Sequence, residues 1–596
     1  MKLLRNILTC TLGLLSISMT AQTIVNLSDY GVKPNAGDMS AKINVALEKI
    51  HKQYQSGTDS IILKLEAGRY DFKPQKSTLR SYFISNHDQD SAKHVAINFD
   101  GWQHMTFDGN GADIICDGVM LPIALVNSTN CTLQNFSVDF VNPHISQIEI
   151  VESNANGITF RPSSEVKYNL VNHKFQSYGI GWTRNPNYGI AFDGATHRMV
   201  YNTSDLWCGI DSLIKLKNGL LKAPKWVNEK IIPGTKIALR GWERPAPALF
   251  LNQNINSCIK NVTVHYAEGM GILAQLCENI TLNGFSVAIR ENSGRYFTTQ
   301  ADATHFSGCK GKIISTNGLY EAMMDDAINV HGTYLLVKEI TSPNTLIATY
   351  MHHQSFGFDW GFPGDSVLVV KASTMDYETD TLVIKNITKL NSKQFELSFN
   401  KPIPTIDTSK FKYGLENISW TPEVYFADNV IRNNRARGSL FSTPKKVVVE
   451  RNLYDHTSGA AILLSGDCNG WFETGACHDV TIRNNKFRNA LTSLFQFTEA
   501  VISIYPVIPD IENQHKYFHG GKPGIVIENN EFYTFDNPLL YAKSVDGLIF
   551  RNNKITHNTD FKPFHHNKFA IKLQRVRNTT IAGNHNDTGD LNIFIE

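Results

Sequence analysis

The chain repeats one short pattern of apolar and polar positions: an apolar residue, a polar one, then Arg, Glu, Gly or Asn, then Asn. It runs as Ile431-Arg-Asn-Asn434, Val449-Glu-Arg-Asn452, Ile482-Arg-Asn-Asn485, Ile527-Glu-Asn-Asn530, Phe550-Arg-Asn-Asn553 and Ile581-Ala-Gly-Asn584. Looser copies stand earlier, at Val262-Thr-Val-His265, Ile280-Thr-Leu-Asn283 and Ile313-Ile-Ser-Thr-Asn317. Spacings of 18 to 45 residues are too irregular for a helical solenoid and suit sheet coils whose loops vary in length. Between these phrases Val, Ile, Thr and Phe alternate with polar residues at period two, which predicts short strands.

Short strands that turn at Asn predict an all-β chain wound as a right-handed parallel β-helix, each coil pairing with the next about 4.8 Å along the axis. Asn suits such turns because it tolerates left-handed backbone and can bond to its stacked neighbour. Near the start, Asp29 to Asp38 leads into an amphipathic helix over Met39 to Ile50 and a strand at 61–65. That order resembles the opening of pectin-lyase-like β-helix proteins, in which the helix covers the exposed end of the coil stack. Two stretches lose the Asn phrases, and each carries a Pro-Gly turn leading into a strand, at Pro233-Gly234 and Pro363-Gly364. They predict two inserted antiparallel barrels or sandwiches. The resulting organisation is a leader at 1–21, cap and first coils at 22–144, a first insert at 145–248, central coils at 249–332, a second insert at 333–421 and final coils at 422–596.

Composition narrows the function. Residues 1–21 carry Lys2 and Arg5, then an apolar run from Ile7 to Leu15, then small or polar residues to Ala21, the grammar of a secretory signal cleaved near Ala21. This predicts an exported protein, periplasmic or extracellular, and no later stretch is long and apolar enough to span a membrane. The 57 basic and 55 acidic residues leave a formal charge of +2 without a basic stripe, which argues against nucleic-acid partners. Asn is abundant, with 54 residues, many of them clustered in short phrases such as Arg432-Asn433-Asn434 and Arg483-Asn484-Asn485. Cys131, Cys258, Cys277, Cys309 and Cys477 each fall just before an alternating segment, so they read as buried free thiols stacked along the coils; Cys468 and Cys477 are the pair favoured for any bridge.

The chemistry concentrates in Gln300-Ala-Asp302 and in Met324-Asp325-Asp326-Ala-Ile-Asn329-Val-His331. Asp302 and Asp325 are 23 residues apart, about one coil, so their backbones are expected to stack. Three crowded carboxylates cannot all ionise freely; at least one holds its proton beside an ionised neighbour. Glycoside hydrolysis needs that pairing of acid and base. If Ile328 and Val330 point inward, Asn329 and His331 point out with Asp325 toward a sugar, and Asp326 must sit in a bend that turns it outward. An isolated Asp-Asp pair is commonly a solvated turn, and a lone His commonly a satisfied one; the third Asp one coil away favours catalysis. In Ser465 to Glu473, Trp471 and Glu473 can stack on and bind a hexose, or the aromatics can pack on an insert. No zinc motif, Gly-x-Ser-x-Gly elbow or phosphate-binding glycine loop is present, so neither metal nor cofactor is expected.

An Asp followed one coil later by Asp-Asp resembles the inverting polygalacturonases. The chain is more similar to bacterial exo-α-1,3-galactosidases of glycoside hydrolase family 110, through the Asp29 to Asp38 opening, Gln300-Ala-Asp302 and Asp325-Asp326-Ala-Ile-Asn-Val-His331-Gly-Thr-Tyr334. The resemblance implies release of terminal α-1,3-linked galactose from blood-group-B-type and linear glycans, with inversion and no metal. It casts Asp325 as general acid, with Asp302 and Asp326 holding and deprotonating water. The Gly-His-Gly and Arg-x-Lys motifs of the polygalacturonases are missing, which argues against an acidic pectin substrate. The second insert, starting just after His331, is expected to wall one end of the groove. Rival readings are a polysaccharide lyase or polygalacturonase-like enzyme, and a non-catalytic glycan-binding β-helix; the oligomeric state is left open.

Overall fold

The computed structural model describes residues 22–54, 60–378 and 380–596, so the expected leader at 1–21 lies outside the described residues. The chain is an all-β, right-handed parallel β-helix with a capping helix near its start. Thirty-three strands form one continuous coiled sheet, and two further seven-stranded antiparallel sheets hang from it. No helix among the described residues is long and apolar enough to cross a membrane.

The helix spans Ser40–Tyr54. Asp38 caps it by accepting the Ser40 backbone N–H at 3.0 Å. Its buried stripe of Ile43, Leu47 and Ile50 enters the core that fills the coils. Asn44 fixes the docking by donating to the Ala96 carbonyl at 2.8 Å.

The Asn repeat becomes a hydrogen-bonded ladder. Asn429, Asn452, Asn485, Asn530, Asn553 and Asn584 stack on successive coils, each side-chain amide donating to the Oδ1 of the next at 3.0–3.1 Å. The residue before each ladder Asn is left-handed, with φ between 54° and 64° at Asp428, Arg451, Asn484, Asn529, Asn552 and Gly583. These turns therefore favour Asn, Asp or Gly, and Asn supplies both the turn and the bond. One repeat phrase differs from the expected register. Ile431-Arg-Asn-Asn434 is not a ladder copy; the true one is Phe426-Ala-Asp-Asn429, and Asn434 instead donates to the Asp325 carbonyl at 3.2 Å.

The eight described cysteines are all free, so no Cys468–Cys477 bridge forms. Cys277 and Cys309 do stack inside the coils, but Cys258 pairs with Thr132 and Thr281 on the outward parity and is only half-buried.

The first insert holds Ser146–Asn154 through Lys236–Arg240, an antiparallel sheet left open at its edges. The second runs from Leu335–Ser342 to Tyr413–Asn417. There the pairing of Ser366–Lys371 with Tyr413–Asn417 closes six strands into a barrel around Leu335, Leu346, Val367, Leu397 and Leu415.

Candidate active site

One column of coil strands carries the site: Thr304–Ser307, Ile328–His331 and Ser439–Phe441, with Thr304, Ile328 and Ser439 in register. Two residues ahead of these strands stand Asp302, Asp326 and Arg437, which therefore stack in one file. The coil repeat here is 24 residues, so Asp302 stacks on Asp326. The expected stacking of Asp302 on Asp325 is off by one; Asp325 flanks the file. Between this file and the strands the coils approach closely, and only small residues fit. Ala303, Ala327 and Gly438 occupy that row, and a Cβ on Gly438 would lie 2.4 Å from the Ala461 carbonyl oxygen.

Ile328 and Val330 fill the core, and Asn329 and His331 point outward but are buried. Asp326 sits in the bend before its strand, fully buried, where Arg437 holds both its oxygens: the backbone N–H at 3.1 Å and Nη2 at 2.8 Å. Oxygen atoms of the three carboxylates lie within 4.8 Å of one another.

The crowding separates their proton affinities. Burial, then the charge of Asp325, pushes Asp302 up to about 8 against the pull of Arg244 and Arg437. Burial also holds Asp326 well above the ordinary carboxylate range, with Arg437 opposing it and Asp325 and Asp302 adding to it. Burial would raise Asp325 too, but Arg435, Arg437 and Arg244 together bring it below its ordinary value. They approach its oxygens to 3.4, 3.7 and 3.0 Å. The site thus keeps protons on the inner pair and an anion at Asp325. Three carboxylates in such a cluster can in principle hold a cation, yet three guanidinium groups already face them and compensate their charge, so the donor set does not call for one.

Both inserts and a distant loop complete the pocket. From the end of the first insert, Arg240 donates to the Met324 and Gln300 carbonyls, each at 3.1 Å, and Arg244 reaches Asp325. From the second, Trp360 Nε1 donates to the Thr333 carbonyl at 2.7 Å, and His352 stacks on Trp471 at 4.8 Å. Asp467 pins that loop by accepting the Trp471 N–H at 2.8 Å. Trp471 and Glu473 line the pocket, while Phe472 packs on the second insert. The inner pocket is lined by Asp302, Asp325, Asp326, Asn329 and Arg437; an outer vestibule continues past Asp325 between Trp242, Trp471 and Phe495. In the inner pocket Asn329 Oδ1 and Arg437 Nε are buried without a hydrogen-bond partner, as expected of groups awaiting a ligand.

The chain matches GLAA-B beta-barrel domain I over residues 146–237 and GLAA-B beta-barrel domain II over residues 345–406. It is 54% identical to Alpha-1,3-galactosidase B of Phocaeicola vulgatus, over 98% of this chain and 99% of that protein. To Alpha-1,3-galactosidase B of Bacteroides fragilis it is 53% identical, over 96% of this chain and 98% of that protein. The chain belongs to glycoside hydrolase family 110, the α-1,3-galactosidases. Among solved structures, the Agl-KA catalytic domain aligns at 11% identity and a TM-score of 0.40, over 96% of this chain and 67% of that one, a likeness too distant to bear on this family's chemistry.

In this member of the α-1,3-galactosidase family Asp302, Asp325, Asp326 and Asn329 line one pocket with Trp471 and Glu473, which the sequence offers only as a separate patch, while His331, expected to face a sugar, is off the pocket lining and bonds to His305; the arginines and His305 were missed. Arg437 was legible in principle, since it stands two residues before an apolar strand, as Asp302 and Asp326 do. Arg240 and Arg244 had no such signal; only the docking of the first insert brings them in.

Proposed function

We propose that the enzyme is an exo-acting hydrolase that releases terminal α-1,3-linked galactose from B-antigen-type and linear glycans, with inversion. The galactose part rests on the relatives named above. The exo part is supported by one observation: at Asp325 the inner pocket meets an outer vestibule flanked by both inserts, with Trp242 and Arg244 from the first and His353 and Gln354 from the second. A terminal sugar fits the inner pocket, and the rest of the glycan lies between Trp242, Trp471 and Phe495. The scissile oxygen then falls beside Asp325, at the junction of the two spaces, where a general acid is needed. Asp302 and Asp326 lie on the far, inner side, where attacking water would stand. Because the inner pair holds protons and Asp325 does not, the reaction requires a proton to reach Asp325 from the vestibule and one to leave the inner pair.

The inversion part is supported by what occupies the inner carboxylates. Asp326 is held at both oxygens by Arg437, and Asp302 by His305 at 2.7 Å and the Asp326 N–H at 3.4 Å, an arrangement fit to orient water and ill placed to attack carbon. Inverting enzymes usually separate acid and base by about 6.5–9.5 Å and retaining ones by about 5 Å. The oxygens here are nearer the shorter value, so water would sit beside the inner pair rather than in a wide gap. A lyase would need an unpaired Lys or Arg as base, and Arg244, Arg435 and Arg437 are each bound to an aspartate. The deciding experiment is proton NMR of galactose released from a Gal-α-1,3-Gal-terminated oligosaccharide: β-galactose appears first if the proposal holds. Initial α-galactose refutes inversion, and release of internal fragments refutes the exo reading.

A further inference from the structure

Beside Asp302 the structure holds two buried histidines in series. His305 Nδ1 lies 2.7 Å from Asp302 Oδ2, His305 Nε2 lies 2.8 Å from His331 Nε2, and His331 Nδ1 lies 2.6 Å from the Gly332 carbonyl oxygen. Both rings are almost fully buried.

The carbonyl fixes the proton count. It can only accept, so His331 Nδ1 carries a hydrogen. The bond between the rings takes one more. If that hydrogen is on His305 and both rings are neutral, His305 Nδ1 is bare, and its bond to Asp302 requires a protonated carboxyl. If Asp302 is ionised, His305 Nδ1 must carry hydrogen, and the two rings then hold three protons, making one of them an imidazolium. Every arrangement that keeps all three bonds therefore contains one proton beyond two neutral imidazoles and a carboxylate. Moving it from Asp302 to His331 needs only short shifts along existing bonds.

We propose that His305 and His331 are a proton relay that serves Asp302, taking up the proton of its carboxyl so that it can act as a base. The inference rests on the glycosidase reading of Asp302. In the step, water's O–H bond breaks, its electron pair forms the bond to the anomeric carbon, and Asp302 receives the proton. Asp325 gives its proton to the departing glycosidic oxygen. From His331 Nε2, the nitrogen that receives the proton from His305, the relayed proton passes to Glu473, whose Oε1 lies 3.4 Å away and which borders the pocket, and from there to solvent. Water and glycoside become galactose and alcohol, with every proton accounted for.

The surroundings suit this direction. Arg244, Arg437, Asp325, Asp326 and Glu473 face the relay across the pocket. His87, the other neighbouring ring, is bound through Nδ1 to the Ser85 carbonyl at 2.9 Å and accepts the Met270 N–H through Nε2, so it takes no part. Burial, then His331, holds His305 well below the ordinary histidine range, which makes it a conduit and not a resting place for the charge.

Two experiments test the relay. In wild-type enzyme labelled with 15N-histidine and free of substrate, one strongly deshielded inter-ring N–H is expected, lost together in His305→Asn and His331→Gln. Independent, non-bonded titration of the two rings overturns the proposal. Kinetically, His331→Gln keeps a hydrogen-bonding side chain that cannot carry a proton onward. It should lower kcat about a hundredfold with KM unchanged, and move the acidic limb of the pH profile upward because Asp302 keeps its proton longer. Normal galactose release by the wild type with an unaltered His331→Gln overturns the relay alone. No release by the wild type overturns the glycosidase reading beneath it.

Discussion

Asp325→Asn separates the acid from the base with two substrates. On a natural glycan the leaving oxygen needs a proton, and loss of the acid should lower kcat/KM by about a hundred- to ten-thousandfold. On 2,4-dinitrophenyl α-galactoside the leaving group departs without help, so turnover should be largely kept. The same variant changes the base. Removing an anion within 4.8 Å of Asp302 takes away about 3 kcal/mol of repulsion at an effective dielectric near 20, about two pH units. Arg244 and Arg437, freed of one counter-charge, pull in the same direction. Asp302 starts at about 8 because burial and Asp325 raise it, so removing Asp325 lowers it. Since the acidic limb of kcat/KM reports ionisation of the base, it should move to lower pH by up to that amount, read on the activated substrate. Folding should survive: Arg435 keeps Asp205 at 2.6 Å and Arg437 keeps Asp326, and only Arg244 loses its bonded carboxylate. A folded variant equally impaired on both substrates, or one with an unmoved acidic limb, refutes the assignment of Asp325.

Arg437→Met should do the opposite to the pH profile: the guanidinium opposes the rise of both Asp326 and Asp302, so without it the inner pair holds its proton more tightly and the acidic limb moves upward, which a kcat/KM profile will show. Trp471→Ala should cost about 1.5 kcal/mol of stacking, raising KM about tenfold for a trisaccharide and less for an aryl galactoside that leaves the vestibule mostly empty. Asn485→Ala removes the ladder bonds to Asn452, Asn530 and the Val449 carbonyl and leaves buried groups unpaired, so it should lower stability by about 2–5 kcal/mol, read from the urea midpoint. A midpoint unchanged there would mean that the ladder is ornamental.

The coil architecture was legible because its signals are local. Period-two alternation, Asn at a turn that needs positive φ, and a buried helical stripe at Ile43, Leu47 and Ile50 can each be read within a few residues. Register was not. The phrase at 431–434 looks like its neighbours, yet Asn429 takes the ladder place, because the ladder depends on which Asn faces the stacked amide. A one-residue ambiguity put Asp325 in place of Asp326 above Asp302, and an error of parity left Cys258 on the wrong face. A one-residue slip reverses every side chain in a strand, and composition alone carries no information about it.

The arginines explain why the inserts belong to the chemistry as well as to selectivity. Three carboxylates on bare coils would meet water, and their mutual repulsion would be screened away with little separation in proton affinity. Burying them sharpens the separation but makes an unpaired anion costly. The first insert ends in Arg240 and Arg244 and supplies Asp205 to hold Arg435, so its docking both dries the site and brings the charges that make Asp325 tolerable there. The inner pair has Arg437 bonded to Asp326 and a weaker pull of Arg244 and Arg437 on Asp302, not enough to offset burial, and stays proton-rich. Acid cluster and insert are thus one electrostatic unit: weakening the docking of 146–240 should disturb the pH profile before it disturbs binding of the outer sugars.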